Sequence, residues 1–160
     1  MALEQVLAQI VRRLRALEQW REAILEPTNS CCLLARAAAQ SIPDATPTAI
    51  LFTTEERDLD GLHDGVNTDR ITVLVPGVYA ISGHVYYDQD AGGGERSLAI
   101  YNGATSIAAH THNAETAAGY ISVATQYTCA AADILRLYFY QTSGGALNVQ
   151  LCRFQATRIA

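Results

Sequence analysis

Apolar residues recur along the chain in two rhythms, and the change from one to the other divides it. Leu3, Leu7, Ile10, Leu14, Leu17 and Ile24 are spaced alternately by four and three, with Arg21 at the position that would complete the series. That spacing lines one stripe of a helix and matches the seam of a coiled coil, while Glu4, Gln5, Arg12, Arg13, Arg15, Glu18 and Gln19 fill the other faces. Pro27 stops the helix, so residues 1–26 are predicted as a coiled-coil stem. Residues 27–48 carry no period: Pro27, Thr28, Asn29 and Ser30 open the stretch, an alanine-rich run spans Ala35 to Ala39, and Pro43 and Pro47 lie near its end. It reads as a connector. From Ala49 onward, Val, Ile, Thr and Tyr dominate between glycine or Asn/Asp turns, predicting strands at Ala49–Thr53, Arg70–Val75, Gly77–Tyr87, Arg96–Asn102, Thr105–His110, Tyr120–Cys129, Ile134–Gln141 and Leu147–Thr157.

A helix this short is marginal in water, so its apolar stripe needs a cover. Periodicity alone allows three: the chain's own β region, an unrelated protein or copies of the same helix. Alternation inside the strands points toward copies. Val78, Ala80 and Ser82 oppose Tyr79, Ile81 and Gly83, and Leu135, Leu137 and Phe139 oppose Arg136, Tyr138 and Tyr140, leaving both faces partly apolar. Such a strand packs one face inside the subunit and offers the other to a second surface, which makes Tyr138 and Tyr140 interface candidates beside the six seam residues.

Composition narrows the classes. With 49% hydrophobic and 17% charged residues the chain can bury a core, and its formal net charge of -5 argues against a nucleic-acid surface. No apolar run approaches the ~20 residues of a membrane span. Arg12, Arg13 and Arg15 interrupt any secretory leader. Cys31, Cys32, Cys129 and Cys152 lack the paired spacing of a zinc site and read as buried thiols.

One set of motifs resembles a known family. Arg70-Ile71-Thr72-Val73 leads into Val75-Pro76-Gly77-Val78-Tyr79, followed by Ile81-Ser82-Gly83, Ile100-Tyr101-Asn102-Gly103 and, late in the chain, Asp133 before an apolar strand. The order resembles the C1q and tumour-necrosis-factor-like jelly roll over residues 49–160, with Ala132 where the family carries a glycine. The resemblance implies an all-β jelly-roll sandwich forming a homotrimer, carried here on the predicted stem. Independently of family, Asn102-Gly103 is a strong two-residue hairpin signal.

Candidate chemistry is sparse. His110 and His112 fall on one side of an extended strand, a possible metal pair, and Asp58, Asp60 and Asp64 form an acidic loop with Gly61 and Gly65 that could hold calcium through oxygen ligands. Neither group has a complete ligand set in the sequence, and the loop lacks the EF-hand order. His63 and His84 have no partner by spacing. No nucleophile elbow or cysteine-protease signature occurs, so no catalytic residue and no cofactor are assigned. The architecture resembles bacteriophage fibre, spike or head-decoration proteins. By that analogy the expected role is structural, at the virion surface after assembly in the host cytoplasm. The N-terminal segment would anchor to a capsid or tail protein. Polar loops such as Asp88–Glu95 and His112–Gly119 would face a host-surface glycan or protein. The alternative is a bacterial or secreted C1q-like recognition module.

Overall fold

The computed structural model describes residues 5, 7, 9–15, 17, 18, 30–89, 92–114 and 116–160. The described residues before Ser30 are helical, as the four-and-three spacing predicts. No described helix is long and apolar enough to cross a membrane. Leu3, Arg21 and Ile24 lie outside the described residues.

Among the described residues eleven strands follow: β1 (Cys31–Arg36), β2 (Gln40–Ile42), β3 (Thr48–Ala49), β4 (Thr54–Asp58), β5 (Ile71–Thr72), β6 (Gly77–Tyr87), β7 (Gly94–Asn102), β8 (Thr105–Ala114), β9 (Gly119–Cys129), β10 (Ile134–Gln141) and β11 (Leu147–Arg158). They form two antiparallel sheets. One runs β4-β1-β11-β6-β9 with β2 added on β11, and the other runs β3-β10-β7-β8 with β5 added on β10. Alternate residues of the central strands are buried between them, including Tyr79, Ile81 and Val85 of β6 and Leu135, Leu137 and Phe139 of β10, and β11 buries Val149, Cys152 and Phe154 with one break in the alternation. Phe52 stacks on Phe154 at 5.9 Å between centroids. Gly83 lies between the sheets because an added Cβ would meet Leu137 Cδ1 at 2.7 Å.

Two expectations need correction. Residues 27–48 are not merely a connector, because β1 and β2 lie within them and pair with β11. Leu34 and Ile42 are fully buried there. Short strands interrupted by turns leave too few alternations to read as a pattern, so the β head starts at Cys31 rather than Ala49. The second omission is β4, Thr-Glu-Glu-Arg-Asp, whose first four residues are exposed. Charged side chains on an edge strand discourage pairing with foreign strands and erase the apolar signal at the same time.

The turn motifs have structural work. Gly103, at φ +57°, begins the β7–β8 turn. Asn102 remains in register opposite Thr105. Its Nδ2 donates to Asp133 Oδ2 (2.8 Å), which also accepts the Ala130 amide (2.9 Å). Asp133 therefore ties two turns together. Ala132 occupies a left-handed φ of +70°, the conformation for which glycine is suited.

Strand direction fixes which loops share an end. The chain enters the head at Ser30, whose carbonyl accepts the Arg158 amide (2.8 Å), while the Val78 amide donates to the Ala160 carbonyl (2.6 Å). The turns at 59–70, 103–104 and 130–133 lie at this entry end. Because Gly119 is opposite Tyr87 and Ala114 opposite Gly94, the connections after β6, β8 and β10 lie at the far end.

Candidate functional site

The sequence candidates scatter to different parts of the head, and most are occupied by structural contacts. Asp58 caps its own loop, accepting the amides of Asp60 (3.3 Å), Leu62 (2.9 Å) and His63 (2.8 Å). Asp60 accepts the hydroxyl of Ser30. Asp64 accepts the amides of Val66 (3.0 Å) and Asn67 (2.6 Å), and its carboxyl is held below the ordinary range first by the Asn67 side chain. Each carboxylate thus serves the entry-end loop through N–H or O–H donors rather than pointing at a shared centre. Among the described residues no group of three or more His, Cys, Asp or Glu side chains is placed to hold a metal ion.

His110 and His112 do come together, with ring centroids 5.7 Å apart. His110 Nδ1 lies 2.8 Å from the Ser122 carbonyl on β9, and His112 Nε2 lies 3.2 Å from the Tyr87 hydroxyl on β6. Both imidazoles reach from β8, in one sheet, to strands of the other. They bridge the open side of the sandwich. His63 Nδ1 is 2.9 Å from the Arg70 carbonyl, inside the entry-end loop.

The cysteines lie where the apolar pattern suggests. Cys32, Cys129 and Cys152 are buried and Cys31 is partly so. Burial raises the Cys129 thiol to about 11 and Cys152 to about 12, and it pushes Cys32 up as well. The reactive thiolate is suppressed in all three.

The four described seam residues behave differently. Leu7, Ile10, Leu14 and Leu17 expose 52%, 50%, 53% and 58% of their surface in a single chain. The head does not cover them.

A second exposed surface is built by the outward positions of the six-stranded sheet. Strand register sets Leu33, Gln155, Ser82 and Ala124 in one row, with Thr157, Ala80 and Gln126 in the next. Small side chains in neighbouring rows leave a shallow depression of 370 Å³ lined by Ala80, Ser82, Ala124, Gln126 and Gln155. Toward the far end, one row beyond His84 and Ser122, Tyr86 and Tyr120 pair across the strands at 4.9 Å, and Tyr120 is 63% exposed. The β6–β11 register breaks between Gln150 and Arg153, a bulge that leaves Leu151 exposed at φ +49°. His84 faces outward between Arg153 and Ser122. Arg153 Nη2 pairs with Glu56 Oε1 at 3.0 Å.

Tyr138 and Tyr140 sit on the other sheet. Both are only partly exposed, and the Tyr138 ring packs edge-on against Tyr101 at 4.9 Å. Sequence reasoning passed over Tyr86, Tyr120 and Leu151. Tyr86 and Tyr120 become a pair only through the β6–β9 register, and Leu151 turns outward only through the bulge.

With this geometry in place, the described head is similar to the globular domain of zebrafish complement 1qA at 16% identity, covering 82% of this chain and 98% of that one with a TM-score of 0.59. It is likewise similar to murine APRIL (12% identity, 82% and 99%, TM-score 0.61) and to Eiger TNF from S. frugiperda (13% identity, 82% and 93%, TM-score 0.60). No protein-family model and no curated protein matches the sequence. The likeness is one of fold: the head is a jelly roll of the C1q and TNF type.

Proposed function

We propose that the chain is a subunit of a homotrimeric, non-enzymatic recognition module. Its helical segment and one sheet face hold the copies together, and its far-end loops bind a partner. The observation that carries this reading is the seam, where four leucine and isoleucine side chains each expose about half their surface in one chain. Such a stripe needs an apolar cover, and identical helices supply one in register. The C1q and TNF type of fold supports the number three. The outward face of the six-stranded sheet adds a second patch for the same association. Suppressed thiols and carboxylates occupied in loop capping fit a protein that binds rather than reacts.

The finer form of the reading is a phage virion protein, anchored to a capsid or tail protein by residues 1–26 with its head projecting outward. Two measurements bear on these levels separately. Light scattering of the purified chain should give about 52 kDa, three times the 17.3 kDa chain. A particle of single-chain mass at micromolar concentration refutes the trimer. Deleting residues 1–26 should abolish incorporation into a parent particle, whereas replacing residues 116–118 should spare incorporation and change surface attachment. Normal incorporation of the truncated chain removes the anchor assignment.

A further inference from the structure

We infer that the far end of the head carries a site for an uncharged saccharide, in the cleft between Asp88, Gln89 and Gly92 on one side and residues 143–148 on the other; this deepens the recognition reading above and rests on it. The cleft has a volume of 400 Å³, with Asp88, Gln89, Ser143 and Asn148 supplying its polar side chains. One wall is formed by described residues between β6 and β7 and the other by the β10–β11 connection.

Buried polar side chains lie beneath both walls. Among the described residues three polar or charged side chains are buried, and two of them, Arg96 and Gln141, are 0% exposed at this end. Arg96 Nη1 donates to the carbonyls of Gly93 (3.0 Å) and Glu95 (2.9 Å), and its guanidinium lies 5.6 Å from the centre of the Tyr87 ring. Gln141 Nε2 donates to the carbonyls of Gly145 (2.8 Å) and Ile42 (3.2 Å), while its Oε1 accepts the Ser143 amide (2.7 Å) and hydroxyl (2.6 Å). Burying such groups costs desolvation that an apolar side chain would avoid. What they add here is fixed geometry at Gly93, Glu95, Ser143 and Gly145, which a recognition site needs if ordering is not to consume its binding energy.

The walls are also locked to each other. The Thr142 amide donates to the Glu95 carbonyl (3.1 Å), and the Glu95 amide donates to Thr142 Oγ1 (2.9 Å). A Cβ on Gly92 would come within 2.1 Å of the Ser143 carbonyl oxygen, so the two backbones touch where only glycine fits.

The lining defines the ligand class. Among the described residues it holds one carboxylate, two amides and a hydroxyl but no Lys or Arg, so an anionic sugar or a phosphate would meet Asp88 without a compensating cation. Its largest apolar side chain, Leu147, is only 2% exposed, which leaves no anchor pocket for an apolar group. Asp88 is oriented by Gln150 Nε2 at 2.8 Å. Closely spaced neutral donors and acceptors beside one oriented carboxylate match adjacent sugar hydroxyls.

The test uses the full chain on a panel of immobilised oligosaccharides, half neutral and half sialylated. Retention of neutral members is expected. Gly145→Tyr should reduce it at least tenfold, because a Cβ at Gly145 meets nothing within 4 Å and the new ring enters the cleft rather than the core. Gln89→Ala with Asn148→Ala, both exposed positions, should do the same, with the thermal unfolding of both variants unchanged. Retention of sialylated members only, or neutral retention that survives both variants, overturns the site. If retention survives Gly145→Tyr but is lost on replacing residues 116–118, the head recognises saccharide elsewhere, and recognition stands without the cleft. No retention of any member overturns the ligand class and leaves recognition to the attachment test above.

Discussion

The outward faces of the two sheets are built from similar strands and do opposite things with them. On the five-stranded sheet the entry-end loop returns to the face, and Asp69 is clamped between Arg70 Nε (2.8 Å) and Arg136 Nε (2.6 Å). Ser97 and Thr111 hydroxyls meet at 2.8 Å, and Tyr138 leans on Tyr101. Polar groups there find partners inside the subunit. On the six-stranded sheet, β6 and β9 place only uncharged side chains outward apart from the titratable His84, and beyond the trough of small residues the exposed Tyr120 and the left-handed Leu151 lie beside His84 and Arg153. A face that satisfies itself can remain in water, whereas one that leaves apolar surface uncovered marks an interaction site. The proposed subunit contact therefore belongs to the six-stranded face, although Tyr138 and Tyr140 looked equally suitable as a pattern.

The largest expected effect tests that assignment directly. Leu14→Asp buries a charge in the seam and should remove the helical circular-dichroism signal while the β signal persists. In that background the head must associate through its own surface. Adding Tyr120→Glu should then shift the light-scattering mass from about 52 kDa to the 17.3 kDa chain, while Tyr140→Glu should leave it unchanged. The reverse result would move the contact to the five-stranded face.

Acid separates the faces at two different pH values. Burial, and then the Arg153 guanidinium, hold His84 below the ordinary histidine value. The unfolded chain then takes up that proton first, so the stability present above about pH 6.5 declines as pH falls through that value. Burial alone would raise Asp69, but the hydrogen bonds from Arg70 and Arg136 reverse it and hold its carboxyl low. Its contribution is complete above about pH 3.9 and is lost as pH falls through the depressed folded value. Thermal unfolding followed against pH should show an upper step abolished by His84→Gln and a lower step abolished by Asp69→Asn. An upper step that survives His84→Gln would assign it to another histidine.

The smallest effect compares two non-glycine residues with left-handed backbones, Ala132 at φ +70° and Leu151 at φ +49°. Ala132→Gly should stabilise the head by about 1 kcal/mol and leave association untouched. Leu151→Gly relieves the same kind of strain but deletes an exposed side chain from the six-stranded face, so it should weaken association in the Leu14→Asp background. Equal behaviour of the two variants in light scattering would mean that Leu151 does not take part in the contact.

Periodicity by itself determined the helix and the long strands: β6, β9, β10 and β11 fall within a residue or so of the predicted bounds, because alternation over eight or more residues has few competing readings. The turn residues fixed the β7–β8 hairpin and, through Ala132, a position where the fold wants glycine. The sequence did not reveal β1 and β2, whose burial depends on β11 more than a hundred residues away. The charged edge strand β4 was equally hidden. It could not separate Tyr120 from Tyr138, since alternation says that a side chain points outward but not what stands outside. Nor could it show that the polar side chains of Arg96 and Gln141 are fully buried at the far end. Local spacing records which way each side chain faces, while pairing across the sheets decides what it meets, and the proposed contact face and cleft both arise from the second.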